Sequence, residues 1–302
     1  MIVISDLHLK YKHEPYSSSQ RQFLDWLNEK YYNEHMIFLG DLFDVSPHWE
    51  VYKMFQDFLL NRNGNTYILN GNHANSKNKG SSIIAFDFES VYSYLDVSEF
   101  EIENCNCLML PFNYDYRKYS ELEGSYDFIF THVTPTQVQF ANEGIDFPKL
   151  KGTFIHGHTH MPSKFTDRYN NEHIVLGVPL PTRHLEAFEH KIIEIKNKQI
   201  NYIDVPFYFK YETIEYGVMP ENKTNVYNII NAPSKKAVLD KYKDYYIRNH
   251  GIKLLRNEFN HETLKDEFES GNILSKFNIF IQEKQLSEEV AKCCSERIQQ
   301  II

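Results

Sequence analysis

Acidic, amide and imidazole side chains follow five short hydrophobic runs of this sequence, in positions from which they could share a metal site. The runs are MIVIS, HMIFLG, NTYILNG, YDFIFT and GTFIHG, and the residues after them include Asp6, His8, Asp41, Asn72, His132, His158 and His160. Imidazole nitrogen and carboxylate oxygen suit divalent Mn, Fe, Zn or Co, and the lack of cysteine in the set disfavours a structural zinc site.

The number and spacing of these seven residues fit a pair of ions. Two ions need a bridging carboxylate and about three further ligands each. In D-x-H and H-x-H, residues i and i+2 of an extended strand end point to the same side. Two metal ions held in this way polarise a phosphoryl group and lower the pKa of a bridging water. His156 is expected to be a core or hinge residue rather than a ligand.

The hydrophobic pattern predicts how these residues are positioned. Short apolar runs bounded by Gly, Asn or Asp are typical of buried strands. Between them, SSSQRQFLDWLNEKYYNE and HWEVYKMFQDFLLNR have apolar residues at helical spacing, with Ser19 as the expected N-cap of the first helix. Alternating strands and helices predict a layered α/β fold, in which functional loops lie at the carboxyl ends of the strands.

Length and composition set further expectations. A chain of 302 residues with 42% hydrophobic content suits one large domain and a smaller one. Its four cysteines form two local pairs that match neither a zinc ribbon nor a disulfide scaffold, so we expect reduced thiols. No apolar run approaches the roughly 20 residues of a membrane span. The start, MIVISDLHLK, is expected to be a buried strand rather than a signal peptide. We therefore expect a cytoplasmic protein without a membrane partner.

The ordered motifs D-x-H, GDLFD, GNH, a lone His and GHTH resemble those of the calcineurin-like metallophosphoesterase superfamily over residues 1–195. The resemblance implies a layered β-sandwich flanked by helices and a centre of two metal ions. It assigns to the first ion Asp6, His8, Asp41 and His160. It assigns to the second ion Asp41, Asn72, His132 and His158, so that Asp41 bridges the two.

Two residues near the ligands are expected to act without binding a metal ion, His73 on the strength of the resemblance and Asp44 on chemical grounds. His73, directly after the ligand Asn72, is implied to donate a proton to the leaving oxygen or to steady the phosphate. Asp44 is predicted to orient a ligand by hydrogen bonding. Ala74 stands where the family usually has an acidic residue.

Three segments are similar to the Mre11/SbcD nuclease branch of the superfamily. They are GDLFDVSPHWEVYKMFQDFL, CLMLPFNYDY and LGVPLPTRHLEAFEHKIIEI, the last of which leads to a closing β-hairpin in that branch. This similarity implies a DNA exonuclease or endonuclease of repair, recombination or replication. It implies Mn²⁺ as the ion, with Mg²⁺, Fe²⁺ and Zn²⁺ as alternatives, and an SbcC/Rad50-like ATPase as partner.

The predicted domains are residues 1–205, which carry the metal centre, and 206–302, a small C-terminal capping domain that binds DNA or a partner. The net charge of −9 argues against a diffusely basic surface but allows a local basic groove. Candidate DNA contacts in the cap are Lys235, Lys236, Lys241, Lys243 and Arg248, for which a solvated helix face is the alternative. The last helix is expected to contact the ATPase, and a homodimer is left open.

Two other functions remain open on the sequence. SDLHL and IHGHTH also resemble phosphodiesterases that cleave nucleotide-sugar lipids. The first alternative is therefore a phosphatase or pyrophosphatase acting on a small nucleotide or lipid-linked substrate. The second is a non-catalytic scaffold that keeps the fold, against which the complete set of seven ligand types argues.

Overall fold

The structure, a computed structural model, describes most of residues 1–206 and a few short segments beyond. The described residues are 1–11, 16–44, 47–76, 80–86, 88–138, 144–182, 186, 189–206, 210–215, 217–218, 226–231 and 253–254. Two α-helices lie among them, α1 (Tyr16–Tyr31) and α2 (Trp49–Leu60). Neither they nor the short 3₁₀ turns of the described segments have the length and apolar character needed to cross a membrane.

Two six-stranded sheets form the body of the protein. In spatial order, the first contains β14 (Gln199–Asp204), β13 (Lys191–Lys196), β1 (Ile2–Ile4), β2 (Met36–Phe38), β3 (Thr66–Leu69) and β6 (Val91–Tyr94). The second contains β11 (Ser163–Thr166), β12 (Glu172–Val175), β10 (Leu150–His156), β9 (Gly124–Thr131), β8 (Cys105–Leu110) and β7 (Ser98–Ile102). A two-stranded sheet pairs β4 (Asn75–Ser76) with β5 (Gly80–Ser81).

The central strands of both sheets are parallel. β1, β2, β3 and β6 pair in parallel in the first sheet, as do β8, β9, β10 and β12 in the second. Antiparallel strands flank them, including the hairpin of β13 and β14 beside β1. Because the loops after parallel strands lie at one edge of a sheet, this pairing gathers the motif residues.

Alternating side chains along each strand build separate cores on the two faces of a sheet. Ile2 and Ile4 of β1 pack with α1 and α2, whereas Val3 packs between the sheets. In β10, Ile155 lies between the sheets and Phe154 packs on the outer face of the second sheet. This period of two is the pattern of strands buried on both faces. The predicted layered sandwich with flanking helices is confirmed.

The predicted start of the first helix was wrong by several residues. α1 already includes Tyr16, and Ser19 is a buried residue inside it. A residue inside the helix fixes its position instead. The side-chain amide of Gln20 donates to the carbonyl oxygens of Leu7 and His8 at 2.7 and 3.0 Å. α1 thereby supports the loop that follows β1.

Most of the predicted capping domain lies outside the described residues. Within 206–302 the structure describes chiefly a small parallel sheet of β15 (Lys210–Glu215), β16 (Val226–Asn231) and β17 (Lys253–Leu254). The five candidate DNA contacts, from Lys235 to Arg248, and the last helix lie outside the described part of the chain. The domain boundary at 205 therefore stays a prediction.

Candidate metal centre

All seven predicted ligands lie together where the carboxyl edges of the two sheets meet. Among the described residues, three clusters could each hold a metal ion, and two of them consist of predicted ligands alone. These two are the His8 group, made of Asp6, His8 and His160, and the His132 group, made of Asp41, His132 and His158. Within each group one ligand atom per residue lies within 4.8 Å of the others. Both groups combine loops of the first sheet with loops of the second, so the folded sandwich assembles them.

In the His8 group, two imidazole nitrogens face each other. The Nε2 atoms of His8 and His160 are 3.0 Å apart, and His160 Nδ1 lies 2.7 Å from Oε1 of the buried Glu186. A carboxylate only accepts hydrogen bonds, so His160 carries its proton on Nδ1 and offers a lone pair at Nε2. Thr182 Oγ1 also contacts Glu186 Oε1, at 3.0 Å. Glu186 was not among the residues predicted from the sequence.

In the His132 group, possible ligand atoms converge on one point. His132 Nδ1 is 2.6 Å from the carbonyl oxygen of Leu39, so Nε2 is the nitrogen that could give up its proton and bind a metal ion. That Nε2 faces Asn72 Oδ1 at 3.0 Å and Asp41 Oδ2 at 3.4 Å. His158 Nδ1 approaches the same Asn72 oxygen at 2.8 Å. Two imidazoles, an amide oxygen and a carboxylate are thus close enough to share one divalent cation, which would take the place of the protons between them.

Backbone amides of neighbouring loops hold the two buried carboxylates. The N–H of His158 lies 3.0 Å from each oxygen of Asp6, and Ser5 Oγ also donates to Asp6. The N–H of His73 donates to Asp41 Oδ1 at 2.9 Å. This leaves Asp41 Oδ2 between the two groups, 3.9 Å from His8 Nε2 and 3.4 Å from His132 Nε2. The position suits a bridging carboxylate.

Burial and charge set the protonation of the centre. Burial lowers the pKa of His8 to about 4, despite the opposing charges of Asp6 and Asp41, so its imidazole is neutral at neutral pH. Burial also lowers the pKa of His158. For His132 burial is outweighed by the carboxylates of Asp41 and Asp6, which raise its pKa. Likewise, His132 outweighs burial at Asp41 and lowers its pKa. The His132 group therefore attracts positive charge.

Three of the predicted ligands have unusual backbone conformations, which direct their side chains into the centre. His8, Asp41 and His158 have φ values of 45°, 42° and 68°, in the left-handed region that non-glycine residues rarely adopt. The N–H of His8 is held there by the carbonyl oxygen of Asp41 at 2.9 Å. Strain of this kind concentrates at functional sites.

Glycines in the motifs leave room for the ligand side chains. A Cβ on Gly40, whose φ is +109°, would lie 2.3 Å from His132 Nδ1. One on Gly71 would lie 2.1 Å from Asp41 Oδ1. Both distances are far shorter than any van der Waals contact. Gly40 and Gly71 are therefore needed because a larger residue would collide with a ligand side chain from another loop.

Beside the His8 group, Asp44 contacts three basic side chains. Its carboxylate lies 3.3 Å from His73 Nδ1, 3.2 Å from Lys10 Nζ and 3.8 Å from His8 Nδ1. The contact with Asp44 raises the pKa of His73. In turn, His73 and Lys10 both lower the pKa of Asp44. Asp44 thus supplies the support that Ala74 cannot give to His73, besides approaching the predicted ligand His8.

The first histidine of IHGHTH, His156, points away from the two donor groups. His156 is completely buried, with Nδ1 3.0 Å from the carbonyl oxygen of Val133 and Nε2 2.9 Å from His173 Nδ1. His173 Nε2 continues the chain to Asp167 Oδ2 at 3.1 Å. His156 is therefore a packing residue behind the centre, as expected, and burial lowers its pKa to about 3.

A cavity of about 130 Å³ opens beside the His132 group. Besides Asn72, His132 and His158, it is lined by Phe112, Tyr116, Val133 and Thr134. The ring centroids of Phe112 and Tyr116 are 5.9 Å apart, and Tyr114, which also contacts Phe112, is 55% exposed. The metal centre therefore has an aromatic wall on this side.

Fold and site together define a class: a mixed β-sandwich hydrolase whose Asp, His and Asn side chains are arranged for two metal ions. A sequence model of the calcineurin-like phosphoesterases matches residues 1–174, more than half of the chain. The chain belongs to that family, whose members are metal-dependent phosphoester hydrolases. Comparison with curated protein sequences gives no match.

Proposed function

We propose that the protein is a dinuclear metal-dependent DNA nuclease similar to the Mre11/SbcD branch, hydrolysing phosphodiester bonds. One observation carries the proposal: the two donor groups meet at Asp41, with the Asp44–His73 pair directly beside them. That combination supplies what phosphoester hydrolysis needs, a place for two cations and an adjacent proton donor.

Each ion has a complete ligand set in this proposal. Asp6, His8 and His160 would hold the first ion, Asn72, His132 and His158 would hold the second, and Asp41 would contribute to both. Mn²⁺ is the proposed ion, since imidazole and carboxylate ligands suit it, with Mg²⁺, Fe²⁺ and Zn²⁺ as alternatives. When bound, the cations supply Lewis acidity towards the phosphoryl oxygens and lower the pKa of a water between them.

His73 is the proposed proton donor of the reaction. Its Nδ1 faces Asp44, so its Nε2 is the atom that donates to the leaving oxygen. The raised pKa increases the fraction of protonated His73 near neutral pH. His73 and, on the other side, Lys10 lower the pKa of Asp44, so that an ionised carboxylate faces His73.

DNA as the substrate is supported by sequence similarity in the segments that surround the centre. α2 follows GDLFD, the Pro111–Phe112 turn reaches the cavity, and the β13–β14 hairpin lies beside β1. We further propose a cap over the site from residues 206–302, with Lys235, Lys236, Lys241, Lys243 and Arg248 contacting DNA. An SbcC/Rad50-like ATPase would bind the last helix, in repair, recombination or replication.

A phosphatase or pyrophosphatase acting on a small nucleotide or lipid-linked substrate is the second candidate. The cavity beside the His132 group favours it, because about 130 Å³ holds one small ring and not a duplex. The metal chemistry would be the same, so only the substrate separates the two candidates.

Degradation of linear duplex DNA in the presence of Mn²⁺ tests the proposal, with and without the ATPase. Asn72→Ala should lose a ligand and His73→Ala the proton donor, so both should reduce cleavage by about 10²-fold or more. His48→Ala is the matched control, because His48 is an exposed imidazole at the start of α2 that lies in neither donor group.

The result with a small substrate separates the candidates. Turnover of bis-p-nitrophenyl phosphate without DNA cleavage, even with the ATPase added, would replace the nuclease with the second candidate. Bound Mn²⁺ without hydrolysis of either substrate would leave a scaffold.

A further inference from the structure

We propose that the cavity beside the His132 group is a subsite for a single unpaired nucleobase next to the scissile phosphate. Phe112 and Tyr116 line the same cavity as Asn72, His132 and His158. A substrate whose phosphate lies at the donor groups therefore has its neighbouring sugar and base within reach of the two rings. This inference rests on the proposed phosphodiester hydrolysis and adds the conformation of the substrate.

The aromatic wall is fixed before any substrate arrives. Asn70, buried two residues before Asn72, accepts the N–H of Phe112 on its backbone oxygen at 2.8 Å. Its side-chain amide donates to the Phe112 carbonyl oxygen at 3.0 Å, and its Oδ1 accepts from Ser81 Oγ at 2.6 Å. Hydrogen bonds thus join the backbone of Phe112 to the loop that carries the predicted ligand Asn72. Binding here requires little ordering, which favours affinity.

A second set of contacts fixes the far side of the same loop. The hydroxyl of the buried Tyr119 donates to the carbonyl oxygen of Pro111 at 2.8 Å. The preceding residue, Leu110, accepts the N–H of His132 at 3.1 Å. The aromatic wall and the metal ligand are therefore held by adjacent residues of one strand end, at a constant separation.

Size and chemistry select a planar ring as the occupant. An enclosed cavity of about 150 Å³ holds benzene, so about 130 Å³ open on one side accommodates one ring of a base. Stacking on an aromatic side chain contributes to binding whatever the identity of the base. A base inside a duplex must first leave its stack to reach such a subsite. We therefore expect single strands and frayed ends to be cleaved in preference to internal duplex.

The test removes one base from the substrate and one ring from the enzyme. Short single-stranded oligonucleotides carry one scissile phosphodiester among methylphosphonates, either complete or with an abasic residue on the 5′ or the 3′ side. For the wild type with Mn²⁺, kcat/KM should fall roughly tenfold when the stacked base is absent. Phe112→Leu keeps an apolar side chain and should cleave both substrates at the lower rate. Tyr202→Leu, which changes a 46% exposed ring on β14, should keep the tenfold preference.

Binding gives a readout that does not depend on turnover. The fluorescence of 2-aminopurine deoxynucleoside 5′-monophosphate should be quenched by the wild type with Mn²⁺, and much less by Phe112→Leu. Equal cleavage of complete and abasic substrates by the wild type would overturn the subsite and leave the nuclease standing. If no oligonucleotide is cleaved, the nuclease proposal fails. Quenching of 2-aminopurine fluorescence would then still support a subsite for a base, whereas a lack of quenching would contradict the subsite too.

Discussion

At the scale of single residues, the centre depends on side chains that fix the tautomers of its histidines. Leu39 holds the proton on His132 Nδ1 through its carbonyl oxygen, and Glu186 does so for His160 through its carboxylate. A carboxylate in this position orients the ring and increases the basicity of the ligating nitrogen. No spacing rule singled out Glu186, which lies 26 residues after His160 in a segment that the sequence marked only by its similarity to a family branch.

Replacement of Glu186 tests this positioning role. Glu186→Gln keeps the shape but removes the charge, so Mn²⁺ should bind the His8 group about 10- to 100-fold more weakly. Titration calorimetry with Mn²⁺ on the metal-free protein measures the change directly. Glu189→Gln, which removes a nearby exposed carboxylate paired with Lys191, should leave the affinity unchanged. Equal affinities of Glu186→Gln and wild type would show that Glu186 is merely structural.

At the scale of elements, the ends of parallel strands determine where the ligands lie. The strands before Asp6, Asp41, Asn72, His132 and His158 were predictable, because each is a short apolar run that stops at a polar motif. The start of α1 was not, because Ser19 has the residue type of an N-cap but is buried within the helix. Local sequence identifies strand ends well here, whereas contacts between distant loops arise only from the tertiary structure.

The loop after β3 offers a prediction about how closely these elements meet. In Gly71→Ala the new methyl group would lie 2.1 Å from Asp41 Oδ1 and 2.3 Å from Asp41 N, so the bridging carboxylate must move. Mn²⁺ affinity should fall by at least tenfold, measured by calorimetry. A loss of stability of about 1–3 kcal/mol should accompany the change, measured by chemical denaturation.

Gly64→Ala is the control that separates the loss of stability from the loss of Mn²⁺ affinity. Its methyl group would meet the carbonyl oxygen of Glu34 at 2.0 Å, an equally close contact that involves none of the donor groups. It should therefore destabilise the fold while Mn²⁺ affinity is retained. Unchanged Mn²⁺ affinity in Gly71→Ala would mean that the ligand loops adapt more readily than their hydrogen bonds suggest.

At the scale of the whole molecule, the metal centre joins the two sheets of the sandwich. Asp6, His8 and Asp41 come from loops of the first sheet, whereas His132, His158 and His160 come from loops of the second. Most central strands of both sheets were predictable from their apolar runs, and the sandwich was implied only by the family resemblance. The edge where the two sheets meet follows from their shared core, which includes Val3, Ile37 and Ile155. Cations bound across this edge hold the sheets together and have no equivalent site in the unfolded chain.

Mn²⁺ should therefore stabilise the fold, and it should do so through ligands of both sheets. At a concentration 100 times the dissociation constant, one bound ion adds about 2.7 kcal/mol to the free energy of unfolding. His158→Ala removes a ligand of the His132 group and should lose most of one ion's contribution, whereas His35→Ala, whose imidazole contacts Asn65 instead, should keep both. Urea denaturation with Mn²⁺ and with EDTA measures the difference for each protein. If Mn²⁺ stabilised His158→Ala as strongly as the wild type, His158 would not be a ligand and its assignment to the second ion would fail.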